Sequence, residues 1–198
     1  HMEGQGEVKK LASRRRRPPA YISLPLPTFA FMKKAVITGV GKGIGLAIAR
    51  RLAYEGYAIV GCAQSEESIA RLRAEQPAWA LHQADLADKA QVLAFAEAAR
   101  RTPGSIDVLV NNAGRFWPGQ IQNEADGVLE QTLAVNLASA YHLTRALLPE
   151  LLARRAGIIV NICSTASIMA YTNGGSYCIS KHALLGLTRV LREELKPA

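Results

Sequence analysis

The stretch "TGVGKGIG", residues 38–45, lies directly after a short apolar run and directly before a helical one. The run "AVITG" (35–39) has the length of a buried strand, and "GIGLAIARRLAYEG" (43–56) repeats apolar residues at helical spacing until Gly56. A strand, a glycine turn and a helix start form an anion site, because free backbone N–H groups and the positive helix end face the same point. We therefore predict that the pyrophosphate of a dinucleotide approaches this backbone.

Each glycine of this turn has its own physical reason to lack a side chain. Gly39 allows the tight turn, Gly43 the approach of the pyrophosphate, and Gly45 the close packing of helix against strand. Their spacing, G-x-x-x-G-x-G, differs from the commoner G-x-G-x-x-G. Any tight strand-to-helix turn can use such a triplet, so the prediction depends on its place in a strand–turn–helix unit.

The chain after residue 32 alternates between strand-like and helical patterns. Two further apolar runs have strand length, at residues 57–63 and 157–164, the segment 78–86 holds a short strand, and 106–114 is a strand that runs into a polar turn. Helical spacing of apolar residues occupies the segments at 65–76, 88–101, 125–154 and 176–195. The strands are apolar throughout, which is typical of a parallel sheet covered on both faces by helices. We predict an α/β fold, a doubly wound parallel sheet of the Rossmann type, in one domain spanning 32–198.

Most of the positive charge lies at the start of the chain. Residues 1–34 carry +6 of the formal net charge of +8, with "RRRRPP" at 14–19. Such a run is compatible with a nucleic-acid or membrane-surface patch, or with part of an organellar transit peptide. Its composition is more typical of a solvated, disordered tail. Met32 stands just before the first strand, so we interpret residues 1–31 as a disordered or non-native extension.

The remaining composition argues against a membrane, metal or nucleic-acid role. No run approaches the roughly 18 consecutive apolar residues of a transmembrane helix. Cys62, Cys163 and Cys178 are odd in number and lack metal-ligand spacing, so we interpret them as reduced thiols of a cytoplasmic protein. We expect no metal ion, no membrane and no nucleic acid as a partner.

The end of the second strand run favours NADP(H) over NAD(H). In a Rossmann unit an acidic residue about 20 residues beyond the glycines binds the ribose 2′-hydroxyl of NAD. Here Gln64 and Ser65 occupy that place, so no carboxylate stands there to repel a 2′-phosphate. Lys42 could pair with that phosphate and Ser65 could hydrogen-bond it. Two observations oppose this preference. Glu66 and Glu67 are near enough to repel a 2′-phosphate, and a lysine in a loop is commonly just solvated.

The stretch "YCISK" (177–181) carries the candidate chemistry. Tyr177 and Lys181 are four residues apart on a predicted helix and share one face. A lysine ammonium stabilises a nearby phenolate, so the phenol can give a proton to a carbonyl oxygen and recover it in reverse. Ser164 ends the fifth strand run, where open α/β sheets place their ligands, and its hydroxyl could polarise the same oxygen. Taken alone, however, a tyrosine and lysine at this spacing are more often a surface contact.

These motifs occur in one order along the chain: "TGVGKGIG" (38–45), "NNAG" (111–114), Asn136 in "VNLASAY", Ser164 in "IVNICSTAS" and "YCISK" (177–181). In this combination the sequence resembles the short-chain dehydrogenase/reductase family, in its shorter, 3-oxoacyl-reductase-like subtype. The resemblance covers about residues 34–197. It implies an NADP(H)-dependent oxidoreductase that reduces a ketone or other carbonyl to an alcohol by hydride transfer.

The resemblance also implies a role for each matching residue. Tyr177 would be the general acid/base, Lys181 would assist it and hold the nicotinamide ribose, and Ser164 would orient the substrate carbonyl. Asn136, which alone would be interpreted as a hydrogen-bonded helix residue, would fix a water in a proton relay that reaches Lys181. The cofactor contacts that the resemblance implies would come from Gly39, Lys42, Gly43, Ile44, Gly45, Asp85, Leu86, Asn112, Ala113, Gly114, Tyr177 and Lys181. Ser65, proposed above from its place after the second strand, would join them.

One departure from the family concerns the end of the chain. Family members usually continue into a sixth strand, a substrate lid and a seventh strand that commonly builds a homo-oligomer interface. We therefore expect a truncated product of a longer, oligomeric reductase that lacks the last two strands. The fifth strand would then be an unpaired sheet edge. The alternative function is a catalytically impaired dinucleotide-binding protein that acts through binding or partner contacts.

Overall fold

The computed structural model describes residues 32–196, so the predicted extension at 1–31 lies outside the described residues. The predicted strands form within one or a few residues of their expected positions. They are β1 (Lys33–Thr38), β2 (Ala58–Ala63), β3 (Ala80–Gln83), β4 (Ser105–Asn111) and β5 (Ile158–Asn161).

The helices fill the segments between the strands and follow the last one. They are α1 (Gly43–Tyr54), α2 (Glu66–Glu75), α3 (Lys89–Arg101), α4 (Val128–Leu133), α5 (Ser139–Arg154) and α6 (Gly175–Glu194). Side-chain caps set two of the starts: Ser65 accepts the Ser68 N–H before α2, and Asp88 accepts the Ala90 N–H before α3. Within residues 32–196, no helix is both long and apolar enough to cross a bilayer.

The five strands form one parallel sheet in the order β3-β2-β1-β4-β5. The chain therefore runs from β1 to one edge and then crosses back to the other side, which is the doubly wound arrangement that the alternation predicted. The β1 strand pairs with both β2 and β4, so its carboxyl end lies at the point where the strand order reverses. Ligands of open α/β sheets bind at such a point.

Successive side chains of the strands enter two separate cores, one on each face of the sheet. Val36 packs in the core with residues of α3 and α5, such as Phe95 and Leu147. Its neighbour Ile37 packs in the core with residues of α1 and α2, such as Ala49 and Leu72. This two-sided burial explains why the strands are apolar throughout rather than at every second residue.

The single helix predicted over 125–154 is interrupted. Gly127, with a φ of +84°, precedes α4, and a π-helical turn at Ala134–Ala138 separates α4 from α5. The hydroxyl of Ser139 donates to the Val135 carbonyl at 2.6 Å within this turn. Apolar spacing does not distinguish an α-helical turn from a π-helical one, and the prediction therefore missed the break. The turn matters because it contains Asn136, and π-helical turns are frequent at functional sites.

Candidate active site

The glycine turn is held against the end of β4. The side chain of Asn112 donates to the carbonyls of Thr38 and Gly39, at 2.9 and 3.2 Å. Gly39 has a φ of +73°, a conformation that favours glycine. A Cβ on Gly45 would lie 2.3 Å from the Gly39 carbonyl oxygen, so any side chain there would push α1 away from the strand. The turn and the "NNAG" segment are thus one packed unit.

The same turn carries backbone donors that no described protein group uses. The N–H groups of residues 41–45 have no hydrogen-bond acceptor among the described residues, whereas those of Gly39 and Val40 both donate to the Cys62 carbonyl. A Cβ on Gly43 would meet nothing within 4 Å, so the backbone there is open. Ile44 at the helix start is 62% exposed. Free N–H groups at the start of a 12-residue helix fit the phosphates of a dinucleotide.

The predicted adenosine side of the site lies at the ends of β2 and β3. Gln64 follows β2, and its amide donates to the Asp85 carboxylate at 3.1 Å. The other oxygen of Asp85 accepts the Ala87 N–H, and the side chain of Leu86 is buried in the core. Leu86 can therefore meet a ligand only through its backbone. Lys42 is exposed on the glycine turn, and its neighbour Gly41 faces the side chain of Ser68 in the first turn of α2.

Lys181 is buried beside Tyr177. The Lys181 side chain is only 4% exposed, and its Nζ lies 5.9 Å from the centroid of the Tyr177 ring. Its one hydrogen bond among the described residues goes to the Ile162 carbonyl, at 2.8 Å. Burial lowers the pKa of Lys181 below its ordinary value. An ammonium with two unused protons and a lowered pKa, next to a phenol, is suited to passing a proton.

Asn136 connects the "NNAG" segment to the helix that carries Tyr177. Its Oδ1 accepts the Arg115 N–H at 2.7 Å, and its Nδ2 donates to the Arg115 carbonyl at 2.9 Å and to Ser180 Oγ at 3.0 Å. Ser180 Oγ donates in turn to the Tyr177 carbonyl at 2.7 Å. A Cβ on Gly114 would lie 3.4 Å from Asn136 Oδ1 and 3.6 Å from Lys181 Nζ. The structure thus brings Gly114, Asn136 and Lys181 together.

Ser164 lies after β5, where it caps a short 3₁₀ turn at Thr165–Ser167. Its Oγ accepts the Ala166 N–H at 3.1 Å, and its N–H donates to Ser167 Oγ at 3.1 Å. The hydroxyl proton of Ser164 has no acceptor among the described residues and is free to donate to a ligand oxygen. The 3₁₀ turn packs against α6, the helix that carries Tyr177.

Three residues that sequence reasoning did not select also shape the site. The ring of Phe116 packs on the ring of Tyr177, with centroids 4.7 Å apart. Glu124 accepts hydrogen bonds from both the N–H and the hydroxyl of Ser176, at the start of α6. The guanidinium of Arg115 donates to Gln64 Oε1, beyond the glycine turn. Arg115 and Phe116 directly follow "NNAG", and this position next to a motif could have identified them as site residues. No sequence pattern points to Glu124, which lies 52 residues from Ser176.

Comparisons with known proteins agree with this arrangement. A family profile described as short chain dehydrogenase matches residues 33–198. The chain is 39% identical over 175 residues to "Granaticin polyketide synthase putative ketoacyl reductase 1" of Streptomyces violaceoruber, which covers 85% of this chain and 64% of that protein.

Two solved structures resemble the fold. A short-chain dehydrogenase from Streptomyces avermitilis has a TM-score of 0.79 at 30% identity, over 83% of this chain and 61% of that one. A metagenomic short-chain oxidoreductase in complex with NADP has a TM-score of 0.78 at 35% identity, over 85% of this chain and 78% of that one. This chain spans less than two thirds of the length of the Streptomyces proteins. With its parallel sheet, glycine turn and family match, the chain belongs to the short-chain dehydrogenase family.

Proposed function

We propose that this chain carries the cofactor site and the proton-transfer residues of an NADP(H)-dependent oxidoreductase that reduces a carbonyl to an alcohol. The observation that carries the proposal is the burial of Lys181 between the Tyr177 ring and the end of β5. A buried lysine on a ligand-facing sheet edge, with hydrogen-bonding capacity unused, is far more typical of a functional site than of a structural pair.

The residues at the ends of β1 and β2 support NADP(H) over NAD(H). Gln64 and Ser65 stand where a carboxylate would select NAD, and the hydroxyl proton of Ser65, which caps α2, has no acceptor in the described part of the chain. Glu66, which opposed this preference, is paired with Arg73 at 3.4 Å, which reduces its repulsion of a phosphate. The NADP bound to the metagenomic relative supports the same choice.

In the proposed reaction each residue of the chain has a defined task. Bound NADPH would supply the hydride to the carbonyl carbon. The Ser164 hydroxyl donates a hydrogen bond to the carbonyl oxygen and polarises it, while the Tyr177 hydroxyl gives its proton to the oxygen as charge develops there. Lys181 stabilises the tyrosinate that remains and can return a proton to it. Asn136 holds the Arg115 backbone and Ser180, and so fixes the position of α6 relative to the cofactor.

The substrate class that we propose is a 3-oxoacyl thioester or a related ketone. It rests on the resemblance to the 3-oxoacyl-reductase-like subtype and on the ketoacyl reductase named for the granaticin relative. We also propose that the protein acts as a cytoplasmic homo-oligomer.

The test is oxidation of NADPH by the purified chain with a panel of carbonyl compounds, followed at 340 nm and by product analysis. We expect alcohol formation equal to the NADPH consumed, with a thioester among the substrates. If the chain binds NADPH but reduces no carbonyl, the alternative that the sequence left open is favoured, a dinucleotide-binding protein without turnover.

A further inference from the structure

Arg115 crosses the edge of the sheet at which the dinucleotide would bind. Its backbone is fixed at the end of β4, where Asn136 bonds both its N–H and its carbonyl. Its guanidinium reaches Gln64 Oε1, 51 residues away along the chain and just after β2. Because β1 lies between β4 and β2 in the sheet, the side chain spans the region of the glycine turn.

The guanidinium is free to bind an anion. One terminal nitrogen donates to Gln64, and the other donors have no acceptor among residues 32–196. The group also lies over the Trp117 ring, 5.3 Å from its centroid, which restricts its orientation. Arg115 is exposed, and a planar cation with unused donors is suited to bidentate binding of a phosphate.

The position of Gln64 identifies which phosphate this would be. In a Rossmann unit the residue at the end of the second strand meets the 2′-position of the adenosine ribose, and Gln64 occupies that place. The carboxylate of Asp85 is hydrogen-bonded to the same Gln64 side chain. A 2′-phosphate carries two negative charges, so a cation is needed here to offset the Asp85 charge.

We infer that Arg115 is a specificity-determining residue that binds the 2′-phosphate of NADP(H), together with Lys42 and Ser65. This inference rests on the proposed function. It assigns the preference for NADP(H) to a residue that follows β4 and is held by Asn136, and not only to the glycine turn and the end of β2.

The test compares the affinity of nucleotides for wild type and for Arg115→Gln by isothermal titration calorimetry. The ligands are NADPH, NADH, adenosine 2′,5′-bisphosphate and AMP, because the last two isolate the 2′-phosphate from the nicotinamide half. We expect Arg115→Gln to weaken NADPH and the bisphosphate roughly tenfold or more, the loss typical of a charged hydrogen bond, with NADH and AMP nearly unchanged. Arg115→Lys, which keeps the charge, should retain part of the preference.

The matched control is Arg101→Gln, which removes the same charge from an exposed position on α3. It should leave all four affinities unchanged. If Arg115→Gln and Arg115→Lys keep the full NADPH preference of wild type, or weaken NADH as much as NADPH, the inference about Arg115 is wrong while the proposed function stands. If wild type binds neither NADPH nor NADH, the proposed function fails and this inference fails with it.

Discussion

At the scale of single residues, the site depends on a buried amine next to a phenol. Lys181 donates to the Ile162 carbonyl, and its Nζ lies 5.9 Å from the centroid of the Tyr177 ring. In the proposed reaction this places the ammonium charge beside the tyrosinate. Ser164 caps the 3₁₀ turn that packs on α6, and its hydroxyl proton has no acceptor within residues 32–196. The tyrosine and lysine positions could be predicted from their spacing together with the other motifs of the family, and not from the spacing alone. The burial of Lys181 could not, because it depends on β5 and the "NNAG" segment.

Replacing Tyr177 by phenylalanine removes only the hydroxyl and keeps the ring contact with Phe116. We expect carbonyl reduction to fall by about two to four orders of magnitude, the usual contribution of a positioned proton donor. The NADPH dissociation constant should change little, because the phosphates bind at the glycine turn. NADPH oxidation rates and fluorescence titration of NADPH measure the two effects. Retained turnover would contradict the acid/base role of Tyr177.

At the scale of secondary-structure elements, the start of α6 is fixed from a distant loop. Glu124 accepts the N–H and hydroxyl of Ser176, and the Gly119 N–H donates to the Asn173 carbonyl at 3.0 Å. A Cβ on Gly175 would lie 2.0 Å from a Glu124 carboxylate oxygen, so the glycine makes this contact possible. The carboxylate also faces the positive end of the 20-residue helix that carries Tyr177.

Glu124→Gln should loosen this attachment, because an amide has one acceptor oxygen and no charge. We expect a loss of about 1–2 kcal/mol in the free energy of unfolding, from one charged hydrogen bond and the helix dipole. Urea denaturation measures this loss. The control is Glu97→Gln, which breaks exposed ion pairs on α3 and should cost less than about 1 kcal/mol. Equal losses in the two variants would contradict the role of Glu124.

The helices and strands could be predicted where the spacing of apolar residues was clear. The π-helical turn inside the long predicted helix could not. The sequence predicted a fourth strand that runs into a polar turn, and β4 ends at Asn111, where the next two N–H groups donate to Thr38 Oγ1, each at 3.0 Å. The helix predicted over 125–154 is interrupted by the π-helical turn that holds Asn136. The turn places Asn136, whose side-chain partners Arg115 and Ser180 lie 21 and 44 residues away in the sequence.

At the scale of the whole molecule, polar contacts join the N-terminal ends of β1 and β4 to the C-terminal end of α5. Asp107 accepts hydrogen bonds from Arg154 at 2.8 Å, Ser105 Oγ at 2.9 Å and the Lys34 N–H at 3.2 Å. Burial alone would raise the pKa of Asp107, but these bonds and the Arg154 charge hold it below its ordinary value. As the pH falls, Asp107 therefore takes up its proton more readily in the unfolded chain than in the folded one.

Stability from Asp107 should be fully present above its unfolded pKa, near 4, and be lost as the pH falls through its lower folded value. Asp107→Asn should therefore be less stable than wild type at pH 7, by about 1–3 kcal/mol. The difference should shrink below about pH 4. Thermal melts of both proteins between pH 2.5 and 7 measure it. A difference that stays constant over this range would contradict a role for the Asp107 charge.

The sheet order makes β5 an edge strand among the described residues, as the sequence predicted. Beside it lies an open groove of about 890 Å³ between α5 and α6, lined by residues such as Leu148, Leu151, Ile159 and Leu191.

The fold class followed from the alternation of apolar runs. The side-chain path of Arg115 and the Glu124 contact could not be predicted, because no local pattern records which loops meet across the sheet edge.

The most direct test of the central claim is the melting temperature of this chain with NADPH, with NADH and without nucleotide. A ligand at one hundred times its dissociation constant stabilises the folded state by about 2.7 kcal/mol, which gives a visible shift. We expect a clear rise with NADPH and a smaller one with NADH at the same concentration. No rise with either nucleotide would contradict the cofactor site, and an equal rise with both would contradict recognition of the 2′-phosphate.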